Sequence, residues 1–132
     1  NQVCFALYVC SKEVIKKYTP FLEPLGLTYT SYIVLLALWE KDNVLVKDLG
    51  KRLFLDSGTL TPLLKKMEKQ NLIARTRSKE DERQVFITLT EEGKSLKSKC
   101  YDIPQKISCN FNLPPAKAKE LLDTLHQIMA DI

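Results

Sequence analysis

The stretch 56–71, DSGTLTPLLKKMEKQN, admits few structural solutions. Leu60, Leu63, Leu64 and Met67 recur at i, i+3, i+4 and i+7, the spacing of a helix with one buried stripe. At about 100° per residue the opposite side collects Gly58, Pro62, Lys65 and Lys69, with Thr59, Thr61 and Lys66 at its margins. Ser57, Thr59 and Thr61 are short hydroxyl side chains near the helix start, where they can reach base edges. The lysines follow where a phosphate backbone would run. The pattern suits a DNA recognition helix, although any amphipathic surface helix also carries a polar, charged outer face.

The flanking segments sharpen that reading. Upstream, VLVKDLGKRL at 44–53 has apolar residues at Val46, Leu49 and Leu53, as a short helix would. Residues 54–58 then make a brief turn into the second helix, which is the helix-turn-helix order. Downstream, 72–77 and 84–89 read as two strands around a charged tip, with Ile73, Arg75 and Arg77 sharing one parity with Val85, Ile87 and Leu89. Arg75, Arg77, Lys79 and Arg83 put cations on a small projection suited to phosphate contacts or to insertion into a narrow minor groove. A solubilised hairpin whose Asp81 and Glu82 pair locally would carry the same residues.

The bulk of the chain is compatible with this. Its 132 residues, 45% hydrophobic and 27% charged, make one domain, or a lobe plus helices that need a partner. A net charge of +4 permits nucleic-acid binding where cations cluster, as they do at 65–83. No apolar run approaches the roughly 20 residues of a membrane span, and the start does not read as a signal peptide, so a cytoplasmic protein with no membrane partner is expected. The sequence opens on Asn1 rather than Met, so Asn1 is not expected to be the biological start.

Cys4, Cys10, Cys100 and Cys109 are widely spaced, and His126 is the single histidine. No pair has zinc-finger spacing, so neither a metal nor another cofactor is expected. In a reducing compartment the cysteines are either inert buried thiols or reactive ones.

Residues 2–18 read as a helix ending at Thr19-Pro20. Val3, Leu7, Cys10 and Val14 form one seam, and Cys4, Tyr8, Ser11, Ile15 and Tyr18 a second beside it. Two seams imply burial on two sides, against the helix's own lobe and against a partner subunit. That arrangement puts Cys4 at an interface, near a helix start whose dipole favours negative charge. Thr28 suits the N-cap of a helix over 29–41, in which Ile33, Leu36, Ala37 and Trp39 follow an apolar course central to the lobe. Thr90 suits the cap of a helix reaching about Tyr101, or passing Pro104 with a kink. After a break at 111–113, Pro114-Pro115 open a last helix. There Ala118, Leu122, Leu125, Met129 and Ile132 form a seam for dimerisation or for a monomer core.

The succession of helices, recognition helix, charged hairpin and long helix resembles the MarR family of winged-helix repressors. Asp81-Glu82-Arg83 followed by Leu89-Thr90 matches that family's Asp-x-Arg wing signature. NQVCFALY at 1–8, LTYTSYIVLLALWE at 27–40 and LFLDSGTLTPLLKKMEKQ at 53–70 are similar to its organic hydroperoxide regulators, the OhrR type. The resemblance implies a mainly α fold with a small β-hairpin wing and a single domain over 1–132. Segments 1–27 and 90–132 would be dimerisation helices, and 28–89 the winged helix-turn-helix lobe. It implies a homodimer, not an enzyme, that represses by binding double-stranded operator DNA. Ser57, Thr59, Thr61, Lys65 and Lys66 would meet the major groove and its backbone. The wing would add Arg75, Arg77, Lys79 and Arg83, with Asp81 orienting Arg83 in the minor groove.

In the same resemblance Cys4 matches the peroxide-sensing cysteine, and Tyr18 and Tyr29 match two tyrosines whose hydroxyls hold it from across the dimer. Phenols that donate to a sulfur favour thiolate over thiol. Some members carry a second cysteine that traps the oxidised sensor of the other subunit. Cys109 falls on that segment, with Cys100 as its competitor. An organic hydroperoxide would oxidise Cys4 to a sulfenic acid, Cys109 would close an intersubunit disulfide, and the recognition helices would leave groove register. Phe5, Leu7 and the tyrosines would favour alkyl peroxides. Three rivals remain: a repressor with a small phenolic or anionic ligand in the dimer crevice, for which Cys4 is dispensable, a redox sensor that uses Cys4 as its single cysteine, and a thiol peroxidase, for which the basic wing has no purpose.

Overall fold

A computed structural model describes residues 2–132, so Asn1, at the head of the expected dimerisation segment, lies outside the described residues. The chain folds as α1 (Gln2–Leu22), α2 (Tyr29–Glu40), β1 (Val44–Leu45), α3 (Val46–Leu53), α4 (Ser57–Lys69), β2 (Ile73–Arg77), β3 (Val85–Leu89), α5 (Glu91–Cys100), α6 (Ile103–Ser108) and α7 (Pro115–Ala130), with a short 3₁₀ turn at Glu23–Leu25 after α1. This is a mainly helical winged helix-turn-helix with one small antiparallel sheet.

Three of these elements differ from expectation. First, α1 runs through Pro20 to Leu22 instead of stopping at Thr19. Proline removes the hydrogen bond to Lys16 and crowds its carbonyl, at a cost of about 3 kcal/mol. The last turn persists because it seats Phe21 against the core and buries Leu22 to 1% exposure. Second, the sheet has three strands in the order β1-β3-β2, not two. Val44 pairs with Ile87 and Leu45 with Phe86, which closes the wing onto the base of the helix-turn-helix. Third, α2 does not bury Leu36, which is 42% exposed; its core face is Tyr32, Val34, Leu35, Ala37 and Leu38. The helix from Thr90 is interrupted at Tyr101-Asp102 and resumes as α6, so the Pro104 region starts a new helix.

The core lies between α2, α4 and the sheet, with Leu60, Leu64, Met67 and Ile87 each at or below 1% exposure. Leu63, the fourth member of the predicted stripe, is half-buried. Burying each such side chain contributes about 1.5–3 kcal/mol, so the recognition helix is held firmly by the face it does not present. Its start is fixed by Asp56, whose carboxylate accepts from Thr59 N at 2.8 Å. Its end is tied by Gln70 Nε2, which donates to Gly26 O at 2.9 Å. Thr28 and Ser31 form a capping box on α2. Thr90 caps α5 by accepting from Gly93 N, while its hydroxyl donates to Asn71 O at 2.7 Å. Trp39 Nε1 donates to Gly93 O, locking α2 to α5.

The two ends of the chain are different. Val3, Phe5 and Tyr8 on α1 are 65%, 67% and 64% exposed, and α7 buries no residue, Leu125 alone reaching an intermediate level. Leu121, Leu122, Ile128 and Met129 stand in solvent in the single chain. An apolar seam is thus left uncovered along α1 and α7 in the single chain. Among the described residues no single helix is long and apolar enough to cross a membrane.

Candidate nucleic-acid interface and thiol site

The face opposite the buried stripe of α4 projects from the lobe. Ser57 and Thr59 in its first turn are exposed, Thr61 is half-buried, and Lys65 and Lys66 are exposed one turn further on. The wing stands beside it in the register that alternation predicts, Arg75 opposite Ile87 and Arg77 opposite Val85. Ser57 and Thr61 from α4, Arg75 from β2 and Arg83 from the wing line one cleft of about 650 Å³. Lys47 and Lys51 of α3 line it too, and no carboxylate does among the described residues. These two lysines were missed in the sequence, where their i, i+4 spacing on one helix face was the available signal.

The arginines differ in what they do. Arg83 is 92% exposed at its side chain and aimed by Asp81, whose Oδ1 accepts from Arg83 N at 3.0 Å and from Arg83 Nε at 3.3 Å. Ser78 Oγ in turn accepts from the Glu80 and Asp81 amides, and Ser78 N donates to Gln84 O to close the loop. Arg77 donates to Glu82 O at 2.9 Å and so braces the same tip, where Lys79 stays exposed. Arg75 is half-buried in the middle of its strand, and its Nε has no hydrogen-bond partner among the described residues.

The second cluster lies at the junction of α1 and α2. Tyr18 and Tyr29 meet edge to face with ring centroids 5.0 Å apart. Beneath them is Tyr32, 2% exposed, 5.7 Å from Tyr18 and 6.2 Å from Tyr29. Burial holds the Tyr18 phenol above its ordinary range, reinforced by Tyr29, and burial does the same for Tyr29. Tyr32 is pushed up to about 12, chiefly by burial, then by Tyr18, Cys100 and Tyr29. All three phenols therefore stay protonated donors at neutral pH. Tyr32 was missed in the sequence although it follows Tyr29 at i+3.

The four cysteines have different surroundings. Cys4 is exposed near the start of α1, 14 residues before Tyr18 and hence about 21 Å up the helix from the tyrosines of its own chain. Cys10 and Cys109 are exposed, and Cys109 caps the end of α6. Cys100 is buried, and burial, with Asp102 beside it, pushes its thiol up, so that it remains a protonated, poor nucleophile. Among the described residues no group of His, Cys, Asp and Glu is arranged to hold a metal ion.

The sequence model of the transcriptional regulators SarA/Rot matches residues 16–100. The chain belongs to the SarA/Rot family. It is 49% identical over 129 residues to the HTH-type transcriptional regulator SarZ of Staphylococcus epidermidis, a match covering 98% of this chain and 87% of that protein. Among solved structures, reduced AbfR bound to DNA superposes with a TM-score of 0.83 at 34% identity, covering 99% of this chain and 92% of AbfR, a protein of Staphylococcus epidermidis. The disulfide-formed AbfR is 36% identical and superposes with a TM-score of 0.71, covering 98% and 90%. A SarA/Rot regulator with this fold is a transcriptional regulator and not an enzyme, which removes the thiol-peroxidase alternative.

Proposed function

We propose that this SarA/Rot protein is a dimeric, DNA-binding repressor that senses organic hydroperoxides through Cys4, with Cys109 of the partner subunit closing a disulfide that releases the operator. The observation that carries the DNA-binding half is the convergence of Ser57, Thr61 and Arg83 on one carboxylate-free cleft between recognition helix and wing. Ser57, Thr59, Thr61, Lys65 and Lys66 take the major groove and its flanking phosphates. Arg83 takes the minor groove, and Arg75, Arg77 and Lys79 add cationic attraction along the wing. A solved relative, AbfR, is bound to DNA in its reduced form, and this chain superposes better on that form than on the disulfide form.

The redox half rests on the exposed Cys4 and on the Tyr18–Tyr29 pair. Two protonated phenols presented together form a donor site for a thiolate, and the length of α1 keeps a chain's own Cys4 from reaching it. A second copy, packed through the uncovered seams of α1 and α7, supplies the cysteine instead. The peroxide's outer oxygen passes to the Cys4 sulfur and the alcohol leaves. The Cys109 thiol then displaces that oxygen as water.

The test is operator binding by gel shift before and after a stoichiometric organic hydroperoxide, on the unaltered chain, Cys4→Ser and Cys109→Ser, beside a non-reducing gel. Release of DNA with a covalent dimer in the unaltered chain, neither in Cys4→Ser, and no crosslink in Cys109→Ser is the expected result. DNA held unchanged after oxidation refutes the redox mechanism.

A further inference from the structure

The segment that carries Cys109 is fastened to α1 at two points, one on each side of the cysteine. Three residues before it, Lys106 Nζ lies 5.5 Å from the centre of the Phe21 ring. Two residues after it, the ring of Phe111 receives Lys17 Nζ at 5.6 Å. The pair is reciprocal: α1 supplies one cation and one ring, and the segment after α5 supplies the other cation and the other ring. Lys17 and Phe21 are four residues apart and so stand on one face of α1, one turn apart. Tyr18 lies within that same turn.

Further contacts stiffen the segment from within. Ile103 and Ile107 are buried in the core at 2% and 4% exposure. Lys106 also pairs with Asp102 at 3.1 Å. Asn110 Nδ2 donates to Lys106 O at 3.1 Å, and the amides of Cys109 and Phe111 donate to Gln105 O and Ser108 O. Lys17 and Phe111 stand at the edge of the core, and the chain beyond Phe111 is exposed through 124.

We infer that Lys17–Phe111 and Lys106–Phe21 form a clasp that positions Cys109 beside the turn of α1 from which Tyr18 projects, so that the resolving thiol waits where the oxidised Cys4 of the partner subunit is received. The inference rests on the two-cysteine reading above and adds the positioning residues that the reading lacks. In the trapping step the Cys109 sulfur attacks the sulfenyl sulfur of Cys4. The S–S bond forms as the S–O bond breaks, and hydroxide leaves with the thiol proton as water; the oxidising equivalents came from the organic hydroperoxide in the preceding step. A disulfide demands Cα atoms within roughly 4.4–6.8 Å, so a resolver on a wandering loop condenses slowly and leaves the sulfenic acid open to a second peroxide. A clasped resolver raises the effective concentration of thiol at that point without touching the sulfur of Cys4.

The experiment separates the two chemical steps. Full-length dimers of the unaltered chain, Lys17→Met, Phe111→Leu and a double variant, Lys17→Met with Lys106→Met, which removes one partner of each contact, are mixed with cumene hydroperoxide. Sulfenic acid at Cys4 is followed by dimedone trapping and mass spectrometry, and the Cys4–Cys109 crosslink by quenched non-reducing gels. Methionine and leucine retain apolar bulk, and circular dichroism with sedimentation checks that fold and dimer are intact. The clasp predicts that sulfenic acid appears at the same rate in all four proteins. The crosslink should slow about two- to five-fold in each single variant and about five- to thirty-fold in the double variant, with sulfinic acid accumulating at Cys4. Lys17→Arg, which retains a cation over the ring, should restore the crosslink rate. A crosslink rate unchanged or raised in the double variant overturns the clasp while leaving the two-cysteine switch standing. No Cys4–Cys109 crosslink in the unaltered chain overturns both.

Discussion

Removing the carboxylate of Asp81 discriminates between two roles with opposite signs. If Asp81 were only a negative charge at the wing, Asp81→Ala would strengthen operator binding, since it removes repulsion against phosphate. At about 10 Å in water that repulsion is about 0.4 kcal/mol, a factor of about two in affinity. The geometry assigns it the other role, because Asp81 Oδ1 accepts from both the amide and the Nε of Arg83 and fixes the loop and the side chain together. Without it, binding must immobilise Arg83, at about 0.5–1.5 kcal/mol for one long side chain, and must re-form the turn, at about the same cost. These costs exceed the relieved repulsion by about 0.6–2.6 kcal/mol, so Asp81→Ala should weaken operator binding about three-fold or more.

Protein stability should hardly move, since an exposed pair of this kind contributes about 0.2–1 kcal/mol. Fluorescence anisotropy with labelled operator, over a range of salt, reads the affinity. In an Arg83→Ala background, Asp81→Ala has no side chain left to orient, so only the turn held by the residue-83 amide opposes the relieved repulsion, and binding should weaken by only about 0.1–1.1 kcal/mol. Arg83→Ala by itself should lower the magnitude of the slope of log K against log salt by about 0.9 if Arg83 neutralises one phosphate. Equal tightening by Asp81→Ala in both backgrounds would refute the positioning argument.

Two further outcomes bear on the scaffold. Gly93→Ala places a Cβ 2.2 Å from Leu72 O and 3.1 Å from Leu89 Cδ2, and the backbone carbonyl cannot rotate away. A loss of about 3 kcal/mol, with a thermal midpoint lower by about 10 °C, is expected by calorimetry, and an unchanged midpoint would mean that α5 is not seated on the sheet. The tyrosine cluster predicts alkaline sensitivity. Because the folded chain holds Tyr32 at about 12 and raises Tyr18 and Tyr29, their contribution is fully present below about pH 10 and is lost as pH rises towards 12, where the unfolded chain has already ionised. Urea denaturation between pH 8 and 12 should show stability falling above 10, less steeply in Tyr32→Phe.

Much of the lobe was written locally. Leu60, Leu64 and Met67 recur at helical spacing because one face of α4 must leave water, and Asp56 and Thr90 cap helices with atoms only a turn away, so both signals lie within a short window. The register of Arg75 and Arg77 against Ile87 and Val85 followed from alternation, since a one-residue slip would put every side chain on the wrong face. Continuation of α1 through Pro20 was not legible, because the local cost of proline is visible in the sequence and the burial of Leu22 that offsets it is not. Val44-Leu45 is too short to show a period and becomes a strand only because β3 offers it a partner.

The sequence by itself determined the winged-helix order, the polar face of the recognition helix, the cationic wing and the identity of the candidate thiol and phenols. The tertiary structure decided which of these meet. It set Arg83 on its Asp81 rest, put Arg75 at the cleft, packed Tyr18 and Tyr29 at a tilt against Tyr32, buried Cys100 and left Cys109 exposed between two cation–ring contacts. The reason is range. Periodicity, capping and turn chemistry act over a few residues and leave their mark on the string, whereas desolvation and ring stacking depend on neighbours that are distant in sequence and exist only once the core has closed.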